Sequence, residues 1–316
     1  MQILSDANFE NEYKAIIAPF CEQNEQSSYF DSRDGKRMHY LSYVNPEAKA
    51  NILILHGFTE SAKKFDEMAY YFFNEGFSVY SLDLRGHGLS YKDKAPAYGV
   101  DSQGFEYYAE DIADFVNKII SYEKPFYCYT HSLGGNAALL SIMKQNVKFD
   151  GLVLSSPMIC GNMGMPVAIA EAVAKLVNKI GKGDMPAPGK CVFEPEAGNK
   201  DATSIERGDF WLRFKKENPE YQTCGPTFRW VLNSLKARDE ILKEENIAKI
   251  NCPILVIKPF IDEQLLEKYQ DIFIDKCRQA DKNVFVVETQ GTYHEIYQSK
   301  QAQLESYIET ILSFIG

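Results

Sequence analysis

Apolar positions along the chain form two kinds of run, and the two alternate. The first kind is short and largely unbroken. It is seen at residues 51–55 (Asn-Ile-Leu-Ile-Leu), 77–82 (Phe-Ser-Val-Tyr-Ser-Leu), 126–129 (Phe-Tyr-Cys-Tyr) and 151–157 (Gly-Leu-Val-Leu-Ser-Ser-Pro). Runs of that length suit strands buried on both faces of a parallel sheet. The second kind repeats at helical spacing. Met68, Ala69, Phe72 and Phe73 do so within 65–73, which Gly76 stops, and Tyr108, Ile112, Phe115, Val116 and Ile119 do so within 105–122. Residues 136–143 read as a further helix. Strand and helix in alternation predict an α/β fold with a mostly parallel, doubly wound sheet.

On either side of this stretch the pattern changes. Residues 1–25 predict a helical lead-in carrying Phe9, Tyr13, Ile16 and Ile17. Residues 28–30 and 38–44 predict two strands joined through Asp34-Gly35, a hairpin signal. Beyond Pro157 the alternation stops. Residues 165–180 form an alanine-rich helical pattern, 181–189 a Gly/Pro loop, and 210–214 and 227–242 two further helices. Strand character resumes at 253–258 and 283–287, and an amphipathic helix over 298–314 ends the chain. The expected division is a core of residues 1–157 and 246–316 with a helical cap of residues 158–245 inserted over the sheet's active edge. The 165–180 helix is expected to pack against sheet or cap rather than lipid.

Composition narrows the partners. The formal net charge is −10 without any Lys/Arg-rich run, which speaks against nucleic acid. Seven scattered cysteines, with no Cys-x-x-Cys, speak against a disulfide framework and a zinc site. No phosphate loop and no His-Glu-x-x-His is present, so neither a cofactor nor a metal is expected. The first residues lack a signal-peptide pattern, and no apolar run approaches the about 20 residues needed to span a bilayer. A cytoplasmic protein is expected, with at most transient membrane-surface contact.

The candidate chemistry lies at strand ends, where doubly wound sheets hold their ligands. Thr130-His131-Ser132-Leu133-Gly134-Gly135 joins the strand at 126–129 to a helix, the context a nucleophile elbow requires. Gly134 supplies the small residue two positions after Ser132, whereas Thr130 stands two positions before it where glycine is usual. A serine hydroxyl needs a base and a group to orient that base. His131 adjoins Ser132 and is expected to point away from the elbow. His39 lies in the hairpin, and His56 and His87 precede the nucleophile. The chain order Ser, acid, His leaves His294, in Gly291-Thr292-Tyr293-His294-Glu295. The acid belongs just beyond the strand ending at Ile257. Asp262 is the first carboxylate there, with Glu263 its main rival and Asp271 further on. The backbone N–H groups of Phe58 and Leu133 are the expected oxyanion donors, the latter at a helix start where the dipole also favours negative charge.

In combination these segments resemble the α/β-hydrolases of the lysophospholipase and monoacylglycerol lipase group, also called serine aminopeptidase-like hydrolases. His56-Gly57-Phe58-Thr59-Glu60 is similar to the group's oxyanion loop, and Leu82-Asp83-Leu84-Arg85-Gly86-His87-Gly88-Leu89-Ser90 to its Asp-x-Arg-Gly-His-Gly-x-Ser loop. His131-Ser132-Leu133-Gly134-Gly135 matches the elbow, and Tyr293-His294-Glu295 the histidine segment. Gly225-Pro226-Thr227-Phe228-Arg229-Trp230-Val231 is similar to the bacterial lysophospholipase L2 branch. The resemblance implies a carboxylester hydrolase acting on a glycerol-linked or similar acyl ester, without a cofactor. Two other readings stay open. One is a proline iminopeptidase-like peptidase, for which Glu206, Asp209 and Glu217 could hold a free amine. The other is a ligand-sensing protein that keeps the fold. Met158, Met163, Met165, Val167, Phe210, Trp211, Phe228 and Trp230 are expected to wall an acyl pocket in the cap. The acid turn departs from the group's pattern, since Lys258, Pro259, Phe260 and Ile261 replace small and polar residues.

Overall fold

A computed structural model describes residues 2–93, 99–188, 200–223 and 225–316. Its strands are β1 (Glu25–Asp31), β2 (Arg37–Tyr43), β3 (Ala50–Leu55), β4 (Phe77–Leu82), β5 (Gly99–Val100), β6 (Phe126–His131), β7 (Gly151–Ser155), β8 (Gly225–Pro226), β9 (Ile254–Pro259) and β10 (Val284–Thr289). Eight of them form one sheet in the order β1-β2-β4-β3-β6-β7-β9-β10, and β5 pairs with β8 apart from it. The β1/β2 and β2/β4 pairs are antiparallel, and from β4 to β10 every pairing is parallel. The α/β-hydrolase arrangement expected of the sequence is therefore present.

Two cores lie on the two faces of this sheet. Along β3, Leu53 and Leu55 pack into one and Ile52 and Ile54 into the other. The strand is apolar throughout because both of its faces are covered, while the two-residue period of a strand still sorts its side chains. Helices α4 (Glu106–Ile119) and α5 (Leu133–Gln145) cover the first face. The second is covered by α3 (Asp66–Asn74), by the lead-in helices α1 (Phe9–Glu12) and α2 (Ala18–Asn24), and by the last helix, Gln301–Ile315. A π-helical turn, Tyr13–Ile17, joins α1 to α2. Each buried Leu or Ile in such a layer contributes about 1.5–3 kcal/mol.

Between β7 and β9 the chain runs through α6 (Val167–Lys179), α7 (Ile205–Glu217), β8, α8 (Phe228–Ile241) and α9 (Glu244–Ile247). Helix α6 packs against α8, within the inserted segment as expected, but through a narrow face. Only Ala170 and Ala174 are buried there, against α8, whereas Ile169, Val173, Leu176 and neighbouring Ile180 are exposed. Small residues allow the close helix approach and leave Ile169, Leu176 and Ile180 open to solvent, while Val173 also lines the cavity that holds Ser132. Residue 189, at the end of the expected Gly/Pro loop, lies outside the described residues. Helix α7 docks on the lead-in instead of lining a cap core. Phe210 and Trp211 pack on Tyr13, with ring centroids 4.5 and 5.9 Å away, and the buried Arg207 guanidinium binds Glu67 and the Leu4 carbonyl. Helix α10 (Glu267–Gln279), between β9 and β10, was not expected; it buries Gln270, Phe273, Ile274 and Cys277 along one narrow face. The last helix, Gln301–Ile315, is α11. Among the described residues no helix is long and apolar enough to cross a membrane.

Candidate active site

Ser132 leaves β6 and opens α5 with φ 49° and ψ −111°, a left-handed conformation that L-residues avoid unless the surroundings impose it. The surroundings here are hydrogen bonds. The Ser132 N–H donates to the Ser155 carbonyl at 3.0 Å, and the Ser132 carbonyl accepts from Gly135 and Met158, each at 3.0 Å. Gly134 is needed for space: a Cβ there would stand 2.2 Å from the Leu55 carbonyl oxygen at the end of β3. Thr130 fits despite its branched side chain. Its hydroxyl donates to the Val153 carbonyl at 2.9 Å, and a Cβ on Gly135 would come 3.3 Å from Thr130 Oγ1, so Gly135 leaves the side chain room.

His294 Nδ1 lies 2.9 Å from Asp262 Oδ2. The other Asp262 oxygen accepts the N–H groups of Gln264 and Leu265 at 2.9 and 3.1 Å, so this carboxylate is fixed by its own turn. Glu263, the rival, is exposed and meets Asn162 only through its carbonyl. Burial alone would lower the His294 pKa, but the Asp262 hydrogen bond and charge outweigh it and hold the pKa above the usual histidine value. The His294 carbonyl accepts the Ser156 hydroxyl at 2.7 Å.

His131 corrects an expectation. Its ring does not turn away but packs against that of His294, centroids 4.8 Å apart, with Nε2 3.8 Å from Glu60. Lying two residues beyond Tyr129 on β6, it shares that residue's sheet face, which leads to Tyr297 and the histidine loop. Burial lowers its pKa to about 3, assisted by His294 and Lys64 and opposed by Glu60. It is a neutral wall beside His294.

The loop after β3 is held from below. Gly57 N–H donates to Glu60 Oε2 at 2.6 Å, and a Cβ on Gly57 would meet His131 at 2.7 Å. Glu60 also accepts from Tyr297 and from Lys64, and Lys64 reaches Glu295 at 2.7 Å. His56 accepts the Leu84 N–H on Nε2, so its Nδ1–H donates to the Gly57 carbonyl and the ring is neutral. Among the described residues, the Phe58 and Leu133 N–H groups have no backbone acceptor. Arg85 lies in ion pairs with Asp34 and Asp111, a structural duty. Cys21, Glu25 and Asp66 lie close enough for a cation, but Lys63 already bridges the two carboxylates.

Ser132, His131 and His294 face one cavity of about 530 Å³. Met158, Met163, Phe228, Trp230 and Leu265 make its apolar wall, and Glu60, Asp201, Gln264 and Glu295 lie at a polar end. Met165 lines it too, whereas Val167, Phe210 and Trp211 do not. None of Glu206, Asp209 and Glu217 lines it.

A sheet of this order with a strained serine at the β6–α5 turn is that of an α/β-hydrolase. Residues 46–301 match the family described as "Serine aminopeptidase, S33". The chain belongs to that family, in its lysophospholipase and monoacylglycerol lipase group. It is 27% identical over 273 residues to a probable lysophospholipase L2 of Haemophilus influenzae, covering 82% of this chain and 84% of the relative. It is 26% identical to lysophospholipase L2 of Escherichia coli, covering 97% and 93%. A soluble variant of monoglyceride lipase from Saccharomyces cerevisiae, solved with a substrate analogue, superposes with a TM-score of 0.72 at 20% identity, over 92% of this chain and 94% of that one.

Proposed function

We propose that the chain is a serine carboxylester hydrolase that cleaves a monoacyl lipid ester through an acyl-enzyme on Ser132. The observation that carries this reading is the strained Ser132 opening into the same cavity as His294, whose Nδ1 is engaged by Asp262. With Nδ1–H donated to Asp262, the nitrogen that takes the serine proton is Nε2. Ser132 Oγ attacks the ester carbonyl, His294 holds the proton, and the N–H groups of Phe58 and Leu133 stabilise the oxyanion. As the C–O bond breaks, His294 returns the proton to the leaving alcohol. Water then repeats the sequence on the acyl-enzyme and frees the fatty acid and Ser132. The imidazolium that forms in each half is stabilised by Asp262.

Residues 158–245 act in this reading as a cap that selects the substrate, since Met163, Phe228 and Trp230 supply much of the apolar wall. The exposed stripe of α6 supports brief contact with a lipid surface. The five described cysteines, all buried and unpaired, support a reducing compartment such as the cytoplasm.

The test is turnover of acetyl, octanoyl and longer monoacyl esters, with lysophosphatidyl lipids and dipeptide amides as rival substrates. Each methylene buried against the apolar wall is worth about 0.8 kcal/mol, roughly fourfold in kcat/KM. The expected profile climbs from acetyl towards octanoyl. A flat profile leaves a small-ester hydrolase, a preference for amides favours the peptidase reading, and no turnover at all favours the sensing protein.

A further inference from the structure

The loop that presents the Phe58 N–H closes on itself as a turn, with the Glu60 N–H donating to the Gly57 carbonyl at 3.3 Å. The third residue of this turn, Thr59, has φ 63°. That position favours glycine or asparagine, and a β-branched residue keeps it only when neighbours hold it there. The neighbours are two donors to the Thr59 carbonyl, Lys215 Nζ at 2.7 Å and the Thr223 hydroxyl at 3.0 Å. Both come from the segment inserted between β7 and β9, 156 and 164 residues further along the chain. Gln222 Nε2 in turn donates to the Lys215 carbonyl at 2.9 Å, tying the two donors into one unit.

Given the esterase reading above, on which this rests, we propose that Lys215 and Thr223 are positioning residues for the oxyanion donor. By gripping the Thr59 carbonyl they keep the turn left-handed and the Phe58 N–H aimed where the oxyanion forms. The inserted segment thereby governs the chemical step as well as the choice of substrate. Without the grip, Thr59 relaxes to negative φ and the Phe58–Thr59 peptide turns over, which shifts the adjoining Gly57–Phe58 peptide that bears the donor. Misplacing a catalytic group by about 1 Å costs about a hundredfold, and losing an oxyanion donor about 10²- to 10³-fold in kcat.

The experiment measures kcat, KM, thermal midpoint and serine titration by a fluorophosphonate for wild type, K215M, T223V, the double variant and K215R. All are compared on octanoyl ester, with S132A as reference. The expected result is a fall of about ten- to a hundredfold in kcat for the double variant, with KM within threefold and an unchanged midpoint, smaller falls for each single variant and recovery in K215R. T223V keeps the shape of its side chain and is the fallback if K215M fails to fold. A double-variant kcat within threefold of wild type overturns the proposal, as does a fall that tracks loss of folded protein, or kcat and KM shifting together. S132A retaining activity would instead sink the esterase reading, so the two failures are told apart.

Discussion

Replacing Asp262 by asparagine isolates one function of the acid from its structural duty. Asp262 Oδ1 accepts the N–H groups of Gln264 and Leu265, and an asparagine carbonyl can take over both, so the turn and the fold persist. The group then facing His294 Nδ1 across 2.9 Å is an amide NH₂, a donor in place of an acceptor. Nδ1 must accept, which moves the imidazole proton to Nε2, the nitrogen that receives the Ser132 proton in the proposed mechanism. The equivalent exchange in a comparable triad costs about four decades in kcat, which is about 5.4 kcal/mol at 1.36 kcal/mol per decade. Steady-state hydrolysis of a p-nitrophenyl octanoate ester measures it, with circular dichroism and fluorophosphonate titration to count folded sites. Asp262→Asn is expected near 10⁻⁴ of wild-type kcat, while Glu263→Gln, whose side chain is exposed, stays within a few-fold. If Asp262→Asn kept a tenth of the activity, or Glu263→Gln lost as much as Asp262→Asn, Asp262 would not be the acid.

Two further outcomes follow from the same geometry. Asp262 raises the His294 pKa, and only neutral His294 accepts a proton, so kcat/KM should fall as pH drops through a value above about 6.5. In Asp262→Asn that acid limb moves to lower pH, and a pH–rate profile with an unmoved limb would refute the coupling. Gly134→Ala should cost about 3 kcal/mol or more, because its Cβ meets the Leu55 carbonyl oxygen at 2.2 Å and neither backbone can give. Gly164→Ala, strained at φ 66° but with nothing within 4 Å, should cost about 1–2 kcal/mol, and urea unfolding compares the pair.

What the sequence made legible is governed by local patterns. Strands such as β3 and β4 are readable because a strand covered on both faces must be apolar along its whole length. Ser132 is readable because its backbone strain demands Gly134 nearby. Helix α10 was missed for the opposite reason: only Gln270, Phe273, Ile274 and Cys277 face inward, one of them polar, and the rest of the helix is solvated. Helix α7 was seen only around its aromatics, although Ser204 caps it by accepting the Arg207 N–H. The orientation of His131 was beyond local reasoning. It depends on Glu60, His294 and Tyr297, which only the closed sheet brings to the end of β6. The Lys215–Thr59 contact is equally invisible, since Thr59 lies in the loop motif but Lys215, 156 residues further on, carries none. The apolar cap residues could be recognised as buried, but not sorted into cavity wall (Phe228, Trp230) and docking surface (Phe210, Trp211).

The central claim is that Ser132 forms the acyl-enzyme, and covalent labelling tests it most directly. Wild-type protein is treated with a fluorophosphonate, digested and mapped by mass spectrometry, alongside Ser132→Ala assayed on octanoyl ester. The account predicts one adduct per chain, on Ser132, in step with loss of activity. It also predicts that folded Ser132→Ala takes no label and falls roughly a millionfold in turnover, as loss of this role does in another serine hydrolase. An adduct on a different residue, or a folded Ser132→Ala that keeps more than a trace of activity, would contradict it.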